Sequence, residues 1–288
     1  MCLVGIKGKM KTEVNKSEEM KDKKQEATNL LRWAARSNSK VEMFDFLLHS
    51  GAGINEPDSE GLTPLHWAAR SNPKVDVINF LLDKSANIEA RDLKGLTALH
   101  FAAWSNPNVE VAAALLKRGA DINALSSSGK TPLMFAVENH STADIVKLLI
   151  SQGAKIDEAD PNGATPLHWA SAHAGNIEAM KILLEHGADT TKVTPKGGSP
   201  LHWAAKNSCL NKVDALLNYG ANIDEADING STPLHWAASE NTNVEITKLL
   251  LRRGADIAKK NLKGETPLHS AAKSNSSTEV MQVLLERF

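Results

Sequence analysis

Residues 61–69 of the chain read Gly-Leu-Thr-Pro-Leu-His-Trp-Ala-Ala, and this stretch returns along almost the whole sequence. Its Thr-Pro-Leu-His centre recurs, intact or with one residue changed, at residues 97, 131, 165, 199, 232 and 266. Successive copies are therefore 34, 34, 34, 34, 33 and 34 residues apart, and residues 29–35 read as a degenerate first copy. Such a fixed period is typical of repeat architectures. We predict about eight repeats over residues 27–288, numbered 1 to 8 from the N-terminus.

Each repeat is predicted to be a helix–turn–helix. In repeat 2, Thr63 suits the N-cap position and Pro64 suits the first helical position, where its missing N–H costs nothing. The Leu and the two Ala of the motif then fall on one helix face, and residues 75–82 restart an apolar 3.6-residue period after a break. Glycine follows most second helices, where a left-handed residue commonly ends a helix, and Ser85 alone departs.

The motif Gly-x-Thr-Pro-Leu-His-x-Ala-Ala, followed by Leu-Leu and by Gly-Ala-Asp-Ile-Asn at residues 119–123, resembles the ankyrin repeat. The resemblance covers about nine-tenths of the chain. It implies an all-α ankyrin-type solenoid of stacked helix–turn–helix units with projecting β-turn fingers. Most repeats here have one residue more than the family's usual length of about 33, and the extra residue falls in the inter-helix turn. Residues 1–26 are Lys-rich and outside the period, so they are predicted to be mobile or a frayed helix.

Composition excludes several classes of partner. Thirty-three Lys and Arg oppose 34 Asp and Glu, which leaves no net positive field for nucleic acid or an anionic membrane. Only two cysteines are present, as expected in a reducing compartment, so we predict a cytoplasmic protein with nuclear entry left open. We predict a monomer with no cofactor and no small-molecule substrate.

Histidine is the residue type that invites a catalytic or metal-binding interpretation, because six of the ten histidines lie at the motif position. Packed helices lie about 8–10 Å apart, whereas zinc needs nitrogens about 2.0–2.1 Å away, so motif histidines of neighbouring repeats cannot share a metal. The family resemblance implies instead that this His is structural and ties repeats together. No phosphate-binding loop or zinc-protease motif occurs, and Cys209 reads as an incidental small apolar residue. We predict that the chain is not an enzyme.

Aromatic residues follow the motif position in seven repeats. Because they recur at every level, inter-repeat packing explains them better than an aromatic stack that binds a flat ligand. Trp104 is different, since it occupies a register that is polar or small in the other repeats, including Arg36 and Arg70. Two interpretations stay open: an exposed anchor for a partner, or a side chain folded onto the neighbouring repeat.

The resemblance implies a module that binds another protein on a concave groove and on its finger tips. We predict that Trp104, with Leu93 and Arg70, forms the centre of the site, and that Asn123 is hydroxylated as in similar ankyrin sites. The alternative is a targeting fragment or subunit of a larger enzyme or toxin whose catalytic part lies outside this chain. The predicted partner-binding residues are Arg70, Leu93, Lys94, Trp104, Glu138, Lys206, Ile228, Asn229, Leu262 and Lys263.

Overall fold

The computed structural model describes residues 20–37, 39–138, 143–173, 177–207, 209–240, 243–274 and 277–287. The chain divides into two compact units, an N-terminal unit (Met1–Ser127) and a C-terminal unit (Ser128–Phe288). Across the described residues every regular element is an α-helix. The predicted all-α array of helix pairs is therefore confirmed.

Sixteen helices occur in the described part of the chain. The N-terminal unit contains α1 (20–36), α2 (Val41–His49), α3 (Pro64–Ser71), α4 (Val75–Asp83), α5 (Ala98–Ser105) and α6 (Val109–Lys117). The C-terminal unit contains α7 (Pro132–Glu138), α8 (Ala143–Ser151), α9 (Pro166–Ala172), α10 (Ile177–Glu185), α11 (Pro200–Lys206), α12 (Leu210–Asn218), α13 (Pro233–Glu240), α14 (Val244–Arg252), α15 (Pro267–Ser274) and α16 (Thr278–Arg287). Residues 20–26 are helical and continuous with the first helix of repeat 1, whereas residues 1–19 lie outside the described residues.

The first helices of repeats 2 to 8 begin where the motif predicts, whereas that of repeat 1 begins before its degenerate motif. Thr63 has extended backbone angles, Pro64 is the first residue of α3, and the Thr63 backbone N–H donates to His66 Nδ1 at 3.0 Å. This bond satisfies one backbone donor that the helix start would otherwise leave without a partner. The same capping arrangement opens α5, α9 and α11.

Within each unit the helices form two rows. First helices contact first helices, as α3 contacts α5 and α9 contacts α11, and second helices contact second helices, as α4 contacts α6 and α12 contacts α14. The motif Leu and Ala residues, such as Leu65 and Ala68, are buried between these rows. Burial of one such Leu side chain contributes about 1.5–3 kcal/mol.

The fingers are β-turns that bond to the next finger. In the finger of repeat 2, the Gly61 N–H donates to Asp58 O at 3.0 Å, and the Asp58 carboxylate accepts from the N–H groups of Glu60 and Leu62. The Leu93 N–H of the following finger donates to Glu60 O at 3.1 Å. Gly61 has a φ of 84°, and a Cβ there would lie 2.8 Å from the Leu93 nitrogen, so the finger requires glycine.

In repeats 2 and 3 an asparagine of the inter-helix turn caps the preceding repeat. Asn72, in the turn between α3 and α4, is fully buried, and its Nδ2 donates to Ala35 O at 3.1 Å and to Ser37 O at 2.6 Å. Asn106 Nδ2 reaches back in the same way to Ala69 O at 2.8 Å. Each of these turns therefore satisfies carbonyls at the end of the first helix of the preceding repeat.

Repeat 6 has only 33 residues, and a lysine takes over this capping. Lys212 is the third residue of α12 and only 1% exposed. Its ammonium donates to Ala170 O at 2.6 Å and to His173 O, both at the end of α9, where the helix dipole favours a cation. Burial lowers the pKa of Lys212. Six of the other second helices have a buried apolar residue at this position, and only the equivalent Met43 of α2 is exposed: Val77, Val111, Ile145, Ala179, Ile246 and Val280.

Candidate partner-binding site

Five of the six motif histidines are buried, and His269 of the last repeat is exposed. His66 Nε2 lies 2.9 Å from Ala90 O and 3.1 Å from Leu96 O, so it carries the proton and donates, while Nδ1 accepts from Thr63. The predicted structural role is therefore confirmed. The equivalent inter-repeat bonds join His168 to Gly198, His202 to Ser231 and His235 to Glu265.

The imidazoles are held neutral rather than prepared for acid–base catalysis. Burial lowers the pKa of His66, and it lowers the pKa of His168 to about 4, because the protonated ring would lose its hydration. The described residues contain no group of three His, Cys, Asp or Glu side chains placed to hold a metal ion.

Most of the aromatic series packs between repeats as predicted. The Trp203 ring centre lies 5.9 Å from that of Trp169 and 5.4 Å from that of His168, both in the preceding repeat. Within their own repeats, the indole N–H groups of Trp67 and Trp236 donate to the carboxylates of Asp58 and Asp227 at 3.0 and 2.9 Å. Trp33 corrects the prediction, since it is 70% exposed. The described residues before Trp33 are helical and supply no finger carboxylate to cover its ring.

Four predicted residues of the N-terminal unit line one cavity of about 320 Å³: Arg70, Leu93, Lys94 and Trp104. Leu93, on the finger tip, is 76% exposed, and Trp104 is 36% exposed at the end of α5. The Arg70 guanidinium lies 6.0 Å from the centre of the Trp104 ring and 5.9 Å from that of Phe101. Trp104 thus combines the two interpretations left open by its sequence position: part of its ring packs, and part remains at the surface.

A second cavity of about 350 Å³ lies one repeat earlier, and Trp33 and Arg36, which line it, are not among the predicted partner-binding residues. Trp33 and Arg36 line it together with Trp67. The Arg36 guanidinium lies 5.4 Å from the Trp67 ring centre, and that of Arg70 lies 5.6 Å from the same ring. The sequence feature that could have predicted this cavity is the absence of a finger motif immediately before repeat 1.

Comparison with known proteins agrees with this geometry. The family model described as ankyrin repeats (3 copies) matches residues 31–126, 123–194 and 201–288. The chain belongs to the ankyrin-repeat family. Among solved structures, the ankyrin repeat domain of human ASB11 is similar, with 32% identity and a TM-score of 0.69 over 79% of this chain and 98% of that one. A comparison with curated proteins found no match.

Family membership carries general functional content. Ankyrin repeats are generally protein–protein interaction modules, and the fold is typically non-catalytic. Among the described helices, none combines the length and the apolar character that crossing a membrane would need.

The remaining predicted residues of this ankyrin chain lie in the C-terminal unit. Asn229, Leu262 and Lys263 line a cavity of about 270 Å³, and Ile228 and Leu262 project from adjacent finger tips, where Leu262 is 80% exposed. The Leu262 N–H donates to Asn229 O at 2.9 Å.

Two other predicted residues are engaged within the chain. Glu138 forms an ion pair with Lys130 at 2.6 Å, and both side chains are largely buried. Lys206 pairs with Glu240 at 2.5 Å and lies 5.8 Å from the Trp236 ring centre. Glu138 and Lys206 therefore line none of the three cavities described above.

Asn123 and Cys209 are both half-buried. The Asn123 backbone N–H donates to Asp121 Oδ1 at 2.9 Å, and the modification of its side chain stays a prediction. Cys209 immediately precedes α12 as a free thiol.

Proposed function

We propose that this chain is a non-catalytic binding module for another protein and that the cavity of Arg70, Leu93 and Trp104 is the centre of its partner site. The observation that carries the proposal is the exposed finger-tip Leu93 facing the same cavity as an exposed indole and a guanidinium. Isolated exposed leucines are common on proteins, but these three residue types together are the usual composition of an interface hot spot. The low cysteine content supports a location in the reducing cytoplasm.

The test compares the wild-type chain with Trp104→Ala as baits in quantitative affinity capture. Because Trp104 is partly exposed, we expect the substitution to change the free energy of unfolding by less than about 1 kcal/mol. We expect it to weaken binding of the captured partner by at least about 2 kcal/mol, or about thirtyfold. Tyr219→Ala serves as the control, because Tyr219 is an exposed aromatic residue of the C-terminal unit.

A second candidate surface is the pair of finger tips carrying Ile228 and Leu262. Both apolar side chains are exposed beside the cavity that Lys263 lines. If Trp104→Ala binds the partner like wild type while Leu262→Ala loses it, the site belongs to the C-terminal unit and the proposal for Trp104 is wrong.

A further inference from the structure

We infer that the N-terminal unit binds an extended acidic segment of its partner, in which two carboxylates two or three residues apart pair with Arg36 and Arg70. In this arrangement an apolar side chain of the same segment packs against Leu93 and Trp104. The inference rests on the proposed function, since it names the chemistry of the partner at that site.

The first observation is that two neighbouring guanidinium groups have no anionic partner. Among the described residues, neither Arg36 nor Arg70 forms a side-chain hydrogen bond or an ion pair, although both lie close to aromatic rings. Other arginines of this unit are engaged: Arg118 pairs with Asp83 at 2.8 Å, and Arg91 donates to Gly95 O at 3.1 Å. Arg36 is exposed and Arg70 is half-buried, and two neighbouring positive charges without a counter-charge favour the binding of anions.

The carboxylates already near these arginines are occupied. Asp58 accepts from the backbone of its own finger through Oδ1 and from the Trp67 indole through Oδ2. Asp92 Oδ1 accepts from the N–H groups of Lys94 and Leu96. These aspartates stabilise the conformation of the fingers, and within the described residues neither forms an ion pair with Arg36 or Arg70.

Glu60 is the remaining acidic residue of the cavity, and it lies on an exposed finger tip. Lys94, on the next finger, lines the same cavity with the opposite charge. Together the two cavities are lined by four cationic side chains and three carboxylates, so their lining carries a net positive charge that favours an acidic partner: Arg32, Arg36, Arg70 and Lys94 against Asp58, Glu60 and Asp92.

The distance between the two guanidinium groups limits how far apart the two carboxylates can lie. Their Cζ atoms lie 5.4 and 5.6 Å from one ring centre, so the two atoms are at most about 11 Å apart, the sum of these distances. An extended peptide advances about 3.3 Å per residue, which places carboxylates two or three residues apart about 7–10 Å from each other. A bidentate arginine–carboxylate pair at each end then fixes the register of the segment.

A peptide suits this surface better than a nucleic acid. Leu93 offers a saturated side chain at the most exposed point of the cavity, which complements an aliphatic residue and adds nothing to base stacking. The whole chain has a net charge of −1, so it has no extended positive field for a continuous run of phosphates.

The experiment selects a random library of displayed 12-residue peptides on the wild-type chain. We expect enrichment of Asp or Glu pairs two or three residues apart beside Leu, Ile, Phe or Trp. One selected peptide is then synthesised with a fluorophore, and its affinity is measured by anisotropy. We expect Arg36→Gln and Arg70→Gln each to weaken it at least tenfold, with Arg118→Gln unchanged and Arg70→Lys intermediate. Amidation of either peptide carboxylate should give the same loss, and thermal unfolding verifies that every variant is folded.

The outcomes separate this inference from the proposed function. Selected peptides that lack paired acids but lose affinity for Trp104→Ala would retain the proposed site and overturn the acidic segment. The acidic segment would also be overturned if Arg36→Gln and Arg70→Gln left the affinity for acidic peptides unchanged. The same holds if the library shows no enrichment, or if a 12-nucleotide single-stranded DNA binds more tightly than the selected peptide. Peptides indifferent to Trp104→Ala as well would remove the proposed site itself.

Discussion

Ser85 shows how a single backbone angle can store strain in a repeat. Its φ is 68°, and it stands where glycine follows the second helix of repeats 1 and 3 to 7. A side chain in this left-handed region costs about 1 kcal/mol, because Cβ crowds the following carbonyl. The sequence alone identified this position, since the requirement is local.

We expect Ser85→Gly to raise the free energy of unfolding by about 1 kcal/mol, measured by urea denaturation. Gly119→Ala is the matched control, and we expect it to lower the free energy of unfolding by about 1 kcal/mol. Because a Cβ at Gly119 would meet no atom within 4 Å, this loss would come from the φ of 91° alone. An unchanged midpoint for Ser85→Gly would mean that the left-handed angle carries no cost there.

His168 gives the array an acid-sensitive element. Burial lowers its pKa to about 4 from an ordinary value near 6.5, so the unfolded chain binds more protons between these two pH values. Its contribution is fully present above about pH 6.5 and is lost as the pH falls towards 4. At about 1.36 kcal/mol per pKa unit, we expect this residue to cost the folded state about 2 kcal/mol at pH 5 relative to pH 7.

The measurement is unfolding at several pH values for wild type and His168→Met, the residue found at the equivalent Met134 of repeat 4. We expect the variant to be less stable at pH 7, because it loses the bond to Gly198, and to have a shallower pH dependence. Equal slopes for wild type and His168→Met would contradict the assignment.

At the scale of the helix, interactions between residues close in sequence could be predicted, and interactions between residues far apart in sequence could not. The start of α3 at Pro64 could be predicted because capping involves neighbouring residues. The Asn72 cap could not, since its acceptors lie 37 and 35 residues earlier in sequence and nothing local marks them. Lys212 reads in the sequence only as a polar interruption of an apolar period. Its role depends on the carbonyl end of α9 in the preceding repeat.

The convergence of Arg70, Leu93 and Trp104 could be predicted, because the repeat register places them one repeat apart. The exposure of Trp33 and the position of Arg36 near the Trp67 ring could not. Both depend on what covers the first helix, and the period describes a typical repeat rather than its end.

We expect Lys212→Ala to lower the free energy of unfolding by about 2–4 kcal/mol. The substitution leaves a cavity in the core register and removes the donor for the Ala170 and His173 carbonyls. Lys147→Ala, on the exposed face of α8, is the control and should change stability by less than about 0.5 kcal/mol. Equal effects of the two substitutions would show that the buried ammonium contributes nothing.

For the whole molecule, the division into two compact units predicts that damage stays local. Leu201 is fully buried in the C-terminal unit, and Leu201→Ala should cost about 2–5 kcal/mol there. Because repeats stabilise their neighbours rather than the whole array, we expect the unfolding transition to split. Hydrogen exchange followed by mass spectrometry should show faster exchange over residues 177–240 with little change over residues 64–117.

Leu65→Ala provides the reciprocal measurement, since Leu65 is the equivalent core residue of the N-terminal unit. It should accelerate exchange in the N-terminal unit and spare the other. Uniform acceleration by both substitutions would mean that the chain unfolds as one cooperative body.

The backward reach of the inter-helix turns has a consequence for synthesis on the ribosome. The Ala35 carbonyl accepts from Asn72, and the His66 imidazole donates to the Ala90 carbonyl. The hydrogen bonds of repeats 1 and 2 therefore form only after the following repeat has been synthesised. Translation at about 5–20 residues per second needs roughly 2–7 s to supply a further repeat. During that interval the newest repeat of the nascent chain carries polar groups without hydrogen-bond partners. Each repeat therefore becomes fully stable only when the next repeat has left the ribosome.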